Sequence, residues 1–157
     1  MVLGMSLGTF TLIHVLISLV AIALGIVVIY GFLTNQRFDR LTAVFLVMTG
    51  LTSLTGFLFP FTSATPAIKL GVISLGVLAL AVVARYLLHL AWRKTFVIAA
   101  CMALYFNVFV LVVQSFEKVR SLKALAPTQK EPPFAVAQIV VLLLFVSSAV
   151  NRFRPAR

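Results

Sequence analysis

Five long apolar stretches fill most of this chain, and none of its three acidic residues falls in the middle of one. Asp39 and Glu131 lie in the connections between stretches, and Glu117 lies at the edge of one. A helix needs about 20 apolar residues to cross a hydrocarbon core about 30 Å thick. The pattern therefore predicts an all-α polytopic integral membrane protein, a bundle of five transmembrane helices near residues 9–33, 41–61, 67–91, 95–117 and 134–151. It also removes the commonest machinery of ion-coupled transport, because buried carboxylates usually carry the protons or cations.

Charge content agrees with a lipid setting. Of 157 residues, 62% are hydrophobic and 10% charged, whereas a soluble domain carries about a quarter charged residues. The connections are too short for a separate soluble domain, so residues 1–157 are expected to form a single transmembrane domain. Residues 135–150, AVAQIVVLLLFVSSAV, have no charged face to lay them along a surface and count as a span. Residues 1–10 contain no Lys or Arg, and the apolar run then continues too long for a cleaved export signal. The first stretch is expected to stay as a span. Cys101 is the sole cysteine, so no disulfide forms within the chain.

The cations set the expected orientation. With the N-terminus outside, Arg37, Arg40, Arg85, Arg93, Lys94, Arg152, Arg154 and Arg157 fall inside, and Lys69, Lys118, Arg120, Lys123 and Lys130 fall outside. The inner excess favours N-out, C-in. Tyr30, Tyr86 and Trp92 would then sit at the inner interface, where amphipathic rings are enriched. The expected location is a bacterial inner membrane.

Local chemistry marks several boundaries. Asp39 is placed to cap span two, Pro60 to stop it, and Thr65-Pro66 to open span three. In the outer connection 118–133, the series Phe116, Val119, Leu122 and Leu125 predicts a helical extension at the interface before Pro127, Pro132 and Pro133 end it.

At 100° per residue, polar and small residues gather on single faces of four spans. These are Thr11, His14, Ser18, Ala21 and Gly25; Thr42, Thr49, Thr52, Ser53 and Gly56; Gly71, Ser74, Ala81, Arg85 and His89; and Ala100, Ala103, Asn107 and Gln114. Lipid tails give helices no hydrophobic reason to associate, so small residues permit close approach and polar ones bond between helices. The faces are expected to turn inward, and Ala21-x-x-x-Gly25, Thr52-x-x-x-Gly56 and Ala99-x-x-x-Ala103 to be packing contacts.

His14, Ser18, Thr52, Ser74, Asn107, Gln114 and Gln138 form the candidate ligand pocket. A rise of 1.5 Å per residue puts His14, Gln114 and Gln138 within about 3 to 8 Å of the outer boundary, with the others somewhat deeper. Such a pocket would suit a quinone ring or a lipid headgroup, and the plainer reading is an interhelical hydrogen-bond network. Arg85, His89, Arg93 and Lys94 are the candidate contact for anionic lipid or a partner, and their plainer reading is interfacial anchoring. His14 and His89 sit at opposite ends of parallel spans, about 20 Å apart along the membrane normal, and cannot share one haem. A haem with a single histidine ligand has no supporting motif.

Metal hydrolysis, thiol redox work, nucleotide binding and acyl transfer all lack their sequence motifs. No metal site or catalytic residue is assigned, and a net charge of +10 spread over both sides favours headgroup phosphate over nucleic acid. The expected function is non-enzymatic: an accessory, assembly or scaffold subunit that contacts lipid, a larger membrane complex or a second copy. A quinone- or haem-binding redox-linked protein is the alternative. A transporter or channel ranks last, because no pair of spans is broken by matching Gly or Pro residues.

Overall fold

The computed structural model describes residues 2–60, 66–88 and 93–153. The elements are α1 (Leu7–Leu33), α2 (Asp39–Gly56), α3 (Pro66–Val82) leading into a π-helical turn (Val83–Leu87), α4 (Arg93–Lys118), α5 (Arg120–Leu125) and α6 (Pro132–Phe153). Among the described residues there is no strand beyond one isolated bridge, Val2 to Met5. Among the described residues, four helices are long and apolar enough to cross a membrane: Leu7–Leu33, Ile68–Leu87, Arg93–Lys118 and Pro132–Val150. The helix α2 is not one of them. It is 18 residues long, opens on Asp39 and Arg40, and spends five further positions on Thr42, Thr49, Thr52, Ser53 and Thr55.

Ser6 starts α1, its hydroxyl accepting from the Thr9 amide at 3.1 Å. The expected cap at the start of α2 does not form. Phe38 occupies the capping position with no side-chain bond, and Asp39 is the first helical residue. Its carboxylate is drawn instead to Arg85, because a full opposite charge outcompetes the partial charge of open amides. The expected outer extension of α4 is also broken. Val119 adopts extended backbone (φ −83, ψ 115) between α4 and α5, so Phe116 is buried while Val119 and Leu125 are exposed.

The helix α4 is the hub, packing against α1, α2, α3, α5 and α6. Antiparallel α1 and α2 run side by side along their whole lengths. Phe10 stacks on Phe59, His14 meets Thr55, Gly25 meets Phe45 and Gly31 meets Phe38. From the first of these contacts to the last, each chain covers about 21 residues, or roughly 32 Å if fully helical.

At Gly25 three helices meet without room for a side chain. A Cβ there would lie 2.6 Å from Leu104 Cδ1 and 2.8 Å from Phe45 Cε2. Ala21, Ala99 and Ala103 are buried as well, which is the close approach that small residues allow.

Hydroxyls share the buried face of α2 with Phe45 and Leu46, while its exposed face carries large apolar side chains. Thr42 and Thr49 are 2% and 1% exposed, while Val47 and Leu54 are 59% and 55% exposed. The buried hydroxyl of Thr42 returns to the Phe38 carbonyl at 2.8 Å, which satisfies it within its own helix.

Candidate functional site

Polar side chains link the helices at three levels. Between α1 and α2, His14 Nδ1 and Thr55 Oγ1 are 2.7 Å apart. The Thr55 hydroxyl also lies 2.6 Å from the Leu51 carbonyl, which can only accept. A hydroxyl has one proton, and with that proton on Leu51 the imidazole must donate from Nδ1. That tautomer leaves Nε2 as an acceptor, and no hydrogen-bond partner for it is found among the described residues. Phe59 meets the ring edge-on at 5.2 Å between centroids. Ser18 donates back to the His14 carbonyl at 2.8 Å, and Thr52 to the Met48 carbonyl at 2.9 Å.

Deeper in the bundle, Asn107 on α4 donates to Thr49 on α2 across 3.4 Å. Between α4 and α6, Gln138 Nε2 donates to the Phe109 carbonyl at 3.3 Å, and its Oε1 is buried without a partner among the described residues. Ser74 is buried. Gln114 departs from the expected inward face and is exposed. On α4 the helix neighbours claim the side that carries Ala99, Ala100, Ala103 and Leu104, and Gln114 has turned out of that arc. Of the seven residues expected to share one pocket, His14 and Ser18 lie together, while Asn107 and Gln138 each bridge a different pair of helices.

Arg85 does not reach outward as a surface anchor. It stands on the π-helical turn, closed by the bond from the Leu88 amide to the Val83 carbonyl at 3.0 Å. The extra residue in that turn lets Ala84 face the core while Arg85 points to Asp39 and Phe96. The Arg85 side chain is 10% exposed and its partner Asp39 72%. Its guanidinium carbon lies 5.0 Å from the Phe96 ring centroid and 5.5 Å from that of Tyr86, a cation over two ring faces. Arg93 and Lys94 begin α4 with exposed side chains. His89 and Trp92 lie outside the described residues.

Sequence reasoning missed Thr55, the Arg85 pairing with Asp39, and Gln129, which donates to the Val113 carbonyl of α4 at 3.1 Å. Thr55 carried a usable signal, since it follows Thr52 by three residues and so borders the same face. The other two depend on contacts between segments far apart in sequence, which periodicity does not encode. Among the described residues, no group of three or more His, Cys, Asp or Glu could hold a metal ion.

Comparison with known proteins gives no match among family models, curated proteins or solved structures. The fold itself defines the class: an all-helical, multi-pass integral membrane protein.

Proposed function

We propose that the chain is a non-enzymatic membrane subunit with an accessory, assembly or scaffold role, made of five transmembrane helices with the N-terminus outside and the C-terminus inside. The observation that carries this reading is how its polar side chains are used. His14 with Thr55, Asn107 with Thr49, and Gln138 with the Phe109 carbonyl each tie one helix to another. Interhelical bonds of this kind hold a bundle in register and present no reactive group.

The fifth span rests on α2. With its flanking residues Phe38 and Phe59 it lies alongside α1, and its outward face of Val44, Val47, Leu51 and Leu54 suits acyl chains. Orientation rests on the excess of cations at the Arg85 end of the bundle. A contact with a larger complex or a second copy is supported by α6, of which only 6% of the apolar window is buried within the chain. We place the protein in a bacterial inner membrane on the same composition.

A test is site-specific photo-crosslinking in cells from outward positions on α6, such as Val136 and Leu143. A discrete protein adduct supports the subunit reading. Adducts with lipid alone from every position on α6 overturn it.

One observation favours the alternative, a quinone- or haem-binding protein. Among the described residues the Nε2 acceptor of His14 has no hydrogen-bond partner, and the ring packs edge-on against Phe59, which in turn meets Phe10. Absorbance in the Soret region, or quinone extracted from purified protein and lost in His14→Ala, would establish that function in place of the first.

A further inference from the structure

The Arg85 end of the bundle holds a charge arrangement that the scaffold reading does not use. Two donors of the Arg85 guanidinium, Nε and Nη2, form one edge, and such an edge fits two oxygens of a single oxyanion. Only half of that edge is filled. Nη2 pairs with Asp39 Oδ1, while Nε is buried with no hydrogen-bond partner among the described residues. An unpaired buried donor on a charged group is costly, and here it belongs to a side chain nine-tenths buried and fixed over Phe96. Its partner is the opposite kind of group, a carboxylate largely in solvent at the first turn of α2.

The surrounding charge is lopsided. Arg37, Arg40 and Lys94 are exposed at the same end, and Asp39 is the one acidic residue there among the described residues. Basic groups at a membrane surface attract anionic lipid by about 1 kcal/mol each.

We propose that Arg85 is the phosphate-binding residue of an anionic phospholipid site, and that Asp39 is a built-in competitor for it. A headgroup phosphate offers oxygens to both Nε and Nη2, which the single Asp39 oxygen does not. When the phosphate docks, Asp39 swings into solvent, where it is already mostly exposed. The π-helical turn supplies the aim, and the Phe96 and Tyr86 faces hold the guanidinium plane in place. The site rests on the membrane reading above, since it requires the Arg85 end to lie at headgroup depth.

The experiment compares protein in nanodiscs of phosphatidylcholine alone and of phosphatidylcholine mixed with phosphatidylglycerol, with retained lipid counted by native mass spectrometry. Phosphatidylglycerol is expected to be retained preferentially. Arg85→Gln lowers that retention about fivefold, and Arg85→Lys, which keeps charge but loses the fork, falls between. Asp39→Asn is the decisive variant. It raises phosphatidylglycerol retention if Asp39 competes, whereas a merely structural ion pair predicts lower stability and no gain.

Equal retention of the two lipids, or no gain in Asp39→Asn, overturns the proposal. A second arm adds inorganic phosphate to detergent-solubilised protein. Thermal stabilisation equal to that by phosphatidylglycerol would assign the site to a free oxyanion and overturn the lipid source. If Arg85→Gln does not fold, Asp39→Asn and Arg85→Lys decide the question. Sidedness labelling of the same protein reads the span arrangement separately, so lost lipid preference with intact sidedness removes the lipid site alone.

Discussion

His14 near the start of α1 and Thr55 near the end of α2 meet through a 2.7 Å contact, and the Thr55 back-bond to Leu51 selects which imidazole nitrogen carries the proton. One threonine thus sets both the register of two helices and the chemistry of the only described histidine.

Thr55→Val and His14→Phe should each loosen the α1–α2 pair. The double variant should be less destabilised than the two singles add up to. Interhelical hydrogen bonds in a bilayer couple by about 1 kcal/mol, and a double-mutant cycle in mild detergent measures that term. A coupling indistinguishable from zero would mean the contact contributes nothing to stability.

Gly25 and Gly76 should respond oppositely to alanine. At Gly25 the new Cβ meets Leu104 and Phe45 at less than contact distance, and both of those side chains are about 1% exposed with nowhere to retreat. Overpacking of this kind costs about 1 to 3 kcal/mol. At Gly76 nothing lies within 4 Å, so Gly76→Ala should be neutral or stabilise α3 by up to about 1 kcal/mol through helix propensity. Thermal midpoints of the two variants in the same detergent check the sign of each.

The turn before α6 should loosen in acid. Desolvation pushes the Glu131 carboxyl up, but hydrogen bonds from the Thr128 hydroxyl, its own amide and the amides of Thr128 and Lys130 together outweigh that and hold it below the ordinary carboxylate range. A carboxylate with a depressed folded pKa stabilises above its unfolded value and loses that stabilisation as pH falls through the folded one. Amide exchange at Thr128 and Lys130 should therefore depart from its intrinsic pH dependence below about pH 4.5, the unperturbed carboxyl value. Glu131→Gln should show fast exchange at every pH.

Cysteines at Gln36 and Lys130 should react with an impermeant maleimide from opposite faces of the membrane. The native thiol gives little background, because Cys101 is 6% exposed. Labelling of both from one face would show that the five-helix arrangement is wrong.

The apolar runs were legible because a 20-residue hydrophobic segment has few other solutions, and α1, α3, α4 and α6 lie where the runs predict. Packing by small residues was legible at Ala21, Gly25, Ala99 and Ala103 for a similar reason, since only small side chains permit that approach. Periodicity failed where two adjacent residues compete for one face. The π-helical turn brings Ala84 into the core beside Arg85, which a fixed 100° rotation does not allow. It failed again at Asp39, where the cap rule weighed only nearest neighbours and the winning partner was 46 positions away. Gln114 shows the third limit: a polar stripe names a face but not how wide an arc the neighbouring helices cover.

The buried hydroxyls of α2 bear on how the protein is made. A segment that begins with a carboxylate and a guanidinium and carries five hydroxyls partitions poorly into acyl chains on its own. Its buried hydroxyls are covered by the packed neighbours α1, α3 and α4. On the proposed five-span arrangement, the first helix waits in or beside the translocon for its neighbour, and the hairpin rather than the single rod becomes the unit that enters the bilayer.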